Sequence, residues 1–120
     1  MQKNKGGFAY VMYKNDVEIR RRSWPVENET NNRAELKAII AAVHHLPLDA
    51  TEVIIYSDSQ YALNTLFGTW KRAKNQDLFQ VWDKIWAKKQ HVKFHPKWVK
   101  GHDGCIGNEI CDTLASQYIQ

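Results

Sequence analysis

The spacing of hydrophobic and polar residues predicts that the chain begins with a β-hairpin. Residues 8–14 and 17–24 are rich in β-branched and aromatic residues, and the turn-forming pair Asn15–Asp16 lies between them. Charged residues fall on both alternating faces of the second stretch. Because neither face is purely apolar, we expect this strand to lie at an edge or outer position of a sheet.

Helical spacing follows over residues 31–45, which Pro47 ends. The apolar positions that recur at i, i+3, i+4 and i+7 are Leu36, Ile39, Ile40 and Val43. Thr30, Asn31 or Asn32 can cap this helix. Residues 77–88 form the clearest amphipathic segment, and its predicted inner face consists of Leu78, Val81, Trp82, Ile85 and Trp86.

Two more strands are indicated by shorter patterns. Residues 53–57 form a continuous apolar run bounded by turn residues, which is typical of a strand covered on both faces in a parallel sheet. Residues 92–98 alternate apolar and polar side chains, and we expect Pro96 to break or bulge that strand.

Two more helices complete the order of elements. A short helix is predicted over residues 59–67, closed by Gly68, and a last helix is predicted to begin at Asn108. The order ββαβααβα predicts an α/β fold with a mixed β-sheet and helices packed on it. We expect residues 1–120 to form a single domain.

Composition narrows the class of protein. The chain has 120 residues, of which 43% are hydrophobic, and no apolar run approaches the roughly 20 residues of a membrane span. The first seven residues are polar and lack the apolar core of a signal peptide. Cys105 and Cys111 match no zinc-site spacing. We therefore expect a cytoplasmic protein that does not act at a membrane.

The net charge of +4 is concentrated in one part of the chain. Residues 71–100 contain nine basic and two acidic side chains, interleaved with Trp82, Trp86 and Trp98. A nucleic acid would suit such a surface, but for the charge alone a solvated helix face above a tryptophan core is the more common explanation.

Three carboxylates stand at positions where a cation site can form. Glu35 falls in the predicted first turn of its helix, Asp58 ends the apolar strand, and Asp112 borders the inner face of the last helix. Converging carboxylates repel each other unless a cation lies between them, and hard oxygen ligands favour Mg²⁺ or Mn²⁺. Taken singly, each has a simpler explanation: a helix-dipole partner, an N-cap and a surface acid, respectively.

Four local sequences, taken together, resemble type 1 ribonuclease H. They are TNNRAEL at 30–36, SDSQY at 57–61, WVKGH at 98–102 and GNEICD at 107–112, and their order and spacing also match. The resemblance covers residues 6–118. It implies a ribonuclease H-like mixed β-sheet with helices packed on it, and hydrolysis of the RNA strand of RNA/DNA hybrids with two metal ions.

The resemblance also implies roles for individual residues. Glu35, Asp58 and Asp112 match three of the four carboxylates of the family that bind Mg²⁺ or Mn²⁺, and His102 matches the loop histidine that assists proton transfer. Contacts to the hybrid are implied for Thr30, at a phosphate of the DNA strand, and for Asn32 and Gln60, near the minor groove. Arg33 is expected to order the local structure.

Two departures from the family pattern stand out. The basic helix and loop that many members carry shrink here to Ala73 and Lys74, so we expect Lys71, Arg72 and Lys74, with neighbouring lysines, to compensate in part. The family's first strand, which carries the fourth carboxylate, is missing before Gly6, and Asp16 lies one strand too late to replace it.

A missing strand leaves two sheet edges unpaired, and three routes remain open. Two copies can exchange strands as a homodimer, the hairpin can pair directly with residues 53–57, or the first strand belongs to a separate piece. Two other functions also remain open. The chain can be a non-catalytic nucleic-acid-binding domain, or the nuclease domain of a reverse transcriptase or polyprotein.

Overall fold

The computed structural model of the chain describes residues 5–27 and 30–99, with side chains described over residues 9–25 and 30–99. Its elements are β1 (Lys5–Lys14), β2 (Val17–Glu27), α1 (Asn31–His44), β3 (Glu52–Ser57), α2 (Gln60–Leu66), α3 (Gln76–Ala87) and β4 (Lys93–Trp98). This order confirms the α/β fold class and every predicted element before residue 100. The predicted last helix from Asn108 lies outside the described residues.

The predicted hairpin is confirmed. Strands β1 and β2 pair antiparallel, with Lys14 opposite Val17 at the tip and a register shift between Met12 and Tyr13. The turn residues Asn15 and Asp16 both have left-handed backbone angles, with φ of 51° and 66°. Asn and Asp tolerate this conformation better than most residues, and two consecutive positive φ values match the twist of a tight hairpin.

Strands β3 and β4 form a second, parallel pair, in register from Glu52–Lys93 to Ser57–Trp98. The prediction that Pro96 breaks or bulges β4 is wrong, because Pro96 lies in regular register opposite Ile55. The Lys93 amide donates to the carbonyl of Thr51, just before β3, and the Val99 amide donates to that of Ser57, the last residue of β3. Since amides alternate in direction along a strand, position 96 has the parity that faces away from β3, and the missing N–H of the proline breaks no bond there.

The described strands form two separate two-stranded sheets, β1–β2 and β3–β4. The described hairpin therefore does not pair directly with residues 53–57, which was one of the three ways considered above of completing the sheet. Each described strand keeps one edge without a described partner. Unpaired strand edges are ready templates for another strand.

The prediction that β3 is covered on both faces is wrong. Side chains alternate along the strand, and Ile54 and Tyr56 are 49% and 54% exposed, while Ile55 packs against the core. The described helices pack on the face of β3 that carries Ile55. A continuous apolar run does not reveal how many layers cover it, because that depends on the placement of other elements.

The core lies between the three described helices and one face of the β3–β4 sheet. Its fully buried side chains include Leu36, Val43, Phe79 and Trp82. The predicted inner face of α3 needs one correction, since Phe79 is buried and Val81 is 49% exposed. The apolar stripe runs through positions 79, 82 and 86, and Val81 is rotated out of it by the helical period.

Gly68 follows α2 where the chain turns back sharply. A Cβ atom at this position would come within 2.9 Å of the main-chain oxygen of Asn64. That same oxygen accepts a hydrogen bond from the amide of Trp70. The close approach explains why a glycine closes this helix, as the sequence predicted.

The hairpin is attached to the C-terminal end of α1 by an aromatic contact. The buried Tyr10 hydroxyl lies 2.7 Å from Nδ1 of His45, the residue that follows α1, and the Trp24 ring stacks on His45 with centroids 6.2 Å apart. Burial lowers the pKa of His45 from its ordinary value, with a further contribution from the neighbouring His44 and from Arg22 and Arg20. The neutral imidazole is therefore the form that the folded state stabilises.

This contact predicts a pH dependence of stability. A folded-state pKa below the unfolded value of about 6.5 means that His45 contributes stability above that pH, and that this contribution is lost as the pH falls below it. We expect His45→Gln, which keeps a hydrogen-bond acceptor for Tyr10 but cannot titrate, to flatten the loss of unfolding free energy between about pH 7 and pH 5. Urea titrations at a series of pH values measure this, with the exposed His91→Gln as control; equal slopes for His45→Gln and the unmodified chain would contradict it.

Candidate active site and nucleic-acid interface

Asp58 lies at the C-terminal end of β3 and does not cap the helix that follows. The N-cap of α2 is Ser59, whose Oγ accepts a hydrogen bond of 3.0 Å from the amide of Ala62. The half-buried Asp58 carboxylate has no hydrogen-bond or ion-pair partner among the described residues. Since a partly buried charge without a partner is costly, this side chain is suited to receive a cation.

The main chain around Asp58 is held by its neighbours. The amide of Ser59 donates to Oγ of the buried Ser57 at 3.0 Å, and the amide of Val99 donates to the Ser57 carbonyl at 2.9 Å. The indole N–H of Trp98 donates to the Asp58 carbonyl at 3.1 Å. The turn that presents the carboxylate is therefore fixed from both β3 and β4.

Glu35 lies in the second turn of α1, which corrects the prediction that it lies in the first. The helix begins at Asn31 with Thr30 as its N-cap, and no acidic residue falls in the first turn. The interaction of a carboxylate with the helix dipole is strongest in the first turn, so it explains a glutamate at this position poorly. Glu35 is half-buried, immediately before the fully buried Leu36.

The carboxylates fit a hard divalent cation by their chemistry. Glu35 and Asp58 supply oxygen ligands of the kind that Mg²⁺ and Mn²⁺ prefer. No cluster of three metal-ligating side chains occurs within residues 5–27 and 30–99. The other two members of the predicted set, His102 and Asp112, lie outside the described residues, so the structure describes two of its four side chains.

Arg33 joins the first turns of α1 and α3. Its guanidinium donates to both carboxylate oxygens of Asp77, at 3.1 and 2.9 Å, and to Oδ1 of Asn75 at 3.2 Å. The hydrogen bonds from Arg33 lower the pKa of Asp77 to about 2. Asn75 in turn donates to the Tyr61 hydroxyl of α2 at 3.0 Å. The prediction that Arg33 orders the local structure is confirmed.

This network brings together the N-terminal ends of three helices. Thr30 and Asn32 precede Arg33, Gln60 precedes Tyr61, and Lys74 precedes Asn75, so each of these four exposed residues lies within three positions of a member of the network. The side-chain amides of Asn32 and Gln60 have no hydrogen-bond partner among the described residues. The Thr30 hydroxyl oxygen accepts a hydrogen bond from the Arg33 amide at 3.2 Å, which leaves its O–H to donate elsewhere.

The three predicted basic contacts divide into two kinds. Arg72 donates to the Thr65 carbonyl and to Asp83, each at 2.9 Å, and its guanidinium lies 4.8 Å from the centre of the Phe79 ring. This side chain is thus committed to the packing between α2 and α3. Lys71 and Lys74 are exposed and have no hydrogen-bond or ion-pair partner among the described residues.

Four residues of this arrangement had no assigned role from sequence: Tyr61, Asn75, Asp77 and Trp98. Asn75 has a left-handed backbone with φ of 64°, and an asparagine just before an amphipathic segment is a signal that marks such a position. The pairing of Arg33 with Asp77 spans 44 positions in the sequence, and a single sequence carries no signal for a contact at that distance.

The whole chain, residues 1–120, matches the family described as RNase H. It is 42% identical over 101 residues to "Ribonuclease H" of Actinobacillus succinogenes, covering 73% of this chain and 63% of that protein. It is 40% identical over 99 residues to "Ribonuclease HI" of Pasteurella multocida, covering 72% and 62%.

A third relative matches over a greater length. "Ribonuclease H" of Treponema denticola is 35% identical over 143 residues, covering 96% of this chain and 88% of that protein. Because that alignment is longer than the chain itself, the Treponema protein has residues within the matched region that this chain lacks. The chain spans a little under two thirds of the Actinobacillus and Pasteurella proteins. These matches establish that the chain belongs to the ribonuclease H family, and its motifs resemble those of the type 1 members.

Proposed function

We propose that the protein cleaves the RNA strand of RNA/DNA hybrids endonucleolytically, with Mg²⁺ or Mn²⁺ as cofactor and two ions in the complete site. The observation that carries the proposal is the carboxylate of Asp58. This carboxylate lies half-buried at the end of β3 and has no partner among the described residues. Helix capping does not account for it, because Ser59 is the N-cap of α2. The family membership of the chain supports the same conclusion.

The roles proposed for the carboxylates and for the histidine are those that the resemblance to type 1 ribonuclease H implies. Glu35, Asp58 and Asp112 hold the divalent cations, which, when bound, activate the attacking water and stabilise the leaving 3′-oxygen. His102 takes up and releases a proton beside the scissile phosphate, a task suited to a side chain with a near-neutral pKa in general.

The hybrid is recognised by the polar groups at the three helix N-termini. Asn32 and Gln60 have free amides that can bond base edges and 2′-hydroxyls, and the 2′-hydroxyl is what distinguishes RNA from DNA. The Thr30 O–H and the ammonium groups of Lys71 and Lys74 contact phosphates. Arg72 contributes to the same basic surface, although its guanidinium is held by Asp83 and Thr65.

The quaternary and cellular context belongs to the same proposal. Two copies of the 120-residue chain associate through the strand edges that β1–β2 and β3–β4 leave without described partners. We place the protein in the cytoplasm, as one domain. None of the described helices is long and apolar enough to span a membrane.

A non-catalytic nucleic-acid-binding domain is the second candidate, and one observation favours it. The chain has no acidic residue before Asp16, so the 120 residues supply three of the four carboxylates of the family pattern. Binding of a hybrid in EDTA, measured beside its cleavage in Mg²⁺ and in Mn²⁺, separates the two functions. Cleavage with either metal supports the nuclease, and binding without cleavage in both metals supports the second candidate.

The basic surface predicts a dependence on salt. Replacing Lys71 and Lys74 together by Ala should lower the affinity for hybrid and reduce the slope of log K against log salt by about 2, since each lost phosphate contact removes about one unit. These two lysines are chosen because Arg72→Ala would also disturb packing. Fluorescence anisotropy in EDTA at several salt concentrations measures the slope. Lys14→Ala with Lys93→Ala, at the hairpin tip and at the start of β4, removes the same charge as a matched control. A slope unchanged by Lys71→Ala with Lys74→Ala would place the contact surface elsewhere.

A further inference from the structure

The indole ring of Trp98 lies at the surface, beside the turn that presents Asp58. It is 51% exposed and lies outside the cluster of buried residues that contains Trp82, although it sits at the end of β4, directly opposite Ser57 in register. Its one hydrogen bond goes to the Asp58 carbonyl, at 3.1 Å. Trp70 and Tyr56 are exposed to a similar degree, so what distinguishes Trp98 is this hydrogen bond to the Asp58 main chain.

Asp58 depends on its main chain for its orientation. No described residue bonds its carboxylate, so the direction of the side chain is set by the backbone of the turn between β3 and α2. On one side of Asp58, the Ser57 carbonyl accepts a hydrogen bond from the Val99 amide; on the other, the Ser59 amide donates to the Ser57 hydroxyl. The Trp98 indole is the described group that holds the carbonyl of Asp58 itself.

We propose that Trp98 is a positioning residue for the metal site: its indole N–H fixes the peptide at Asp58 and so aims the carboxylate at the divalent cation. The inference rests on the metal-binding role of Asp58 in the proposed function. A ligand that is held in place before the ion arrives binds it more tightly, because less conformational freedom is lost on binding. Removing the indole donor should therefore weaken metal binding while the fold persists.

The test compares two tryptophan variants of the full chain. Trp98→Phe keeps a large ring and removes the donor. Trp70→Phe is the matched control, because Trp70 is 49% exposed and its indole has no described hydrogen bond. Electron paramagnetic resonance measures the dissociation constant for Mn²⁺. We expect it to rise about three- to tenfold in Trp98→Phe, because one hydrogen bond that holds the ligand in place is lost. In Trp70→Phe it should stay unchanged. Unchanged Mn²⁺ affinity in Trp98→Phe overturns the proposal.

A second measurement separates positioning from general stability and from the metal role itself. In EDTA, hydrogen exchange at the amides of Asp58 and Ser59 should be faster in Trp98→Phe than in the unmodified chain, with little change at core positions such as Leu36. Uniformly faster exchange would mean that Trp98 merely stabilises the fold, and unchanged exchange would mean that it positions nothing. If neither the unmodified chain nor a chain completed with a family-like first strand carrying an aspartate binds Mn²⁺ even at millimolar concentration, the metal role of Asp58 fails, while the exchange data still decide whether Trp98 holds this turn.

Discussion

A family-like first strand of about 15 residues carrying an aspartate, added before Met1, is expected to raise Mg²⁺-dependent hybrid cleavage by at least about 100-fold. Even outer-shell partners of a metal site change activity by about 10- to 100-fold, and this aspartate would be a direct ligand. Mg²⁺ demands near-octahedral geometry and gives up water reluctantly, so three carboxylates should hold it weakly. Mn²⁺ binds the same ligand types more tightly, so any residual activity of the 120-residue chain should favour it.

The same addition should change the oligomeric state. The described strands form two separate pairs, and an added strand between them would pair with edges that lack described partners. We expect light scattering to show association of the 120-residue chain and a monomer after the addition. A strand with asparagine in place of the aspartate is the control, since it should give the monomer without cleavage. Family-like cleavage rates in Mg²⁺ by the unmodified chain would contradict the need for a fourth carboxylate.

Asp58→Asn is expected to abolish metal-dependent function with little cost to the fold. The substitution removes one negative charge from the cation site, so cleavage by the strand-completed chain should fall by about 100-fold or more, and stabilisation by Mg²⁺ should shrink. In EDTA the unfolding free energy should hold or rise, because Ser59, not Asp58, caps α2.

Ser59→Ala is the matched control for that prediction. It removes the hydroxyl that accepts the Ala62 amide, so it should cost about 1 kcal/mol of unfolding free energy in EDTA, the usual loss for an N-cap. Chemical denaturation of both variants in EDTA makes the comparison. A loss of about 1 kcal/mol or more in Asp58→Asn would show that Asp58 has a structural role that its described contacts do not reveal.

The parts of the fold that sequence predicted well are those decided locally. The hairpin follows from the turn signal Asn15–Asp16, whose left-handed angles both residues tolerate. Helix α1 follows from its apolar spacing, and its cap at Thr30 was one of the three residues proposed.

The errors arose where other elements decide the outcome. The coverage of β3 depends on which of its faces the helices pack against, and the tolerance of Pro96 depends on which way its position faces in the sheet. Asp58 illustrates the same limit at the site. Asp58 and Ser59 are both good capping residues, and only the geometry of the turn assigns the cap to Ser59 and leaves the carboxylate of Asp58 for another role.

The most direct test of the proposed activity is the cleavage of an RNA/DNA hybrid labelled on each strand in turn. The strand-completed chain is assayed in Mg²⁺ and in EDTA, beside its Asp58→Asn variant. We predict that only the RNA strand is cut, that EDTA abolishes the cutting, and that Asp58→Asn reduces it by about 100-fold or more. Equal cutting of both strands, or full activity in Asp58→Asn, would contradict the assignment of Asp58 to a metal-dependent ribonuclease H site.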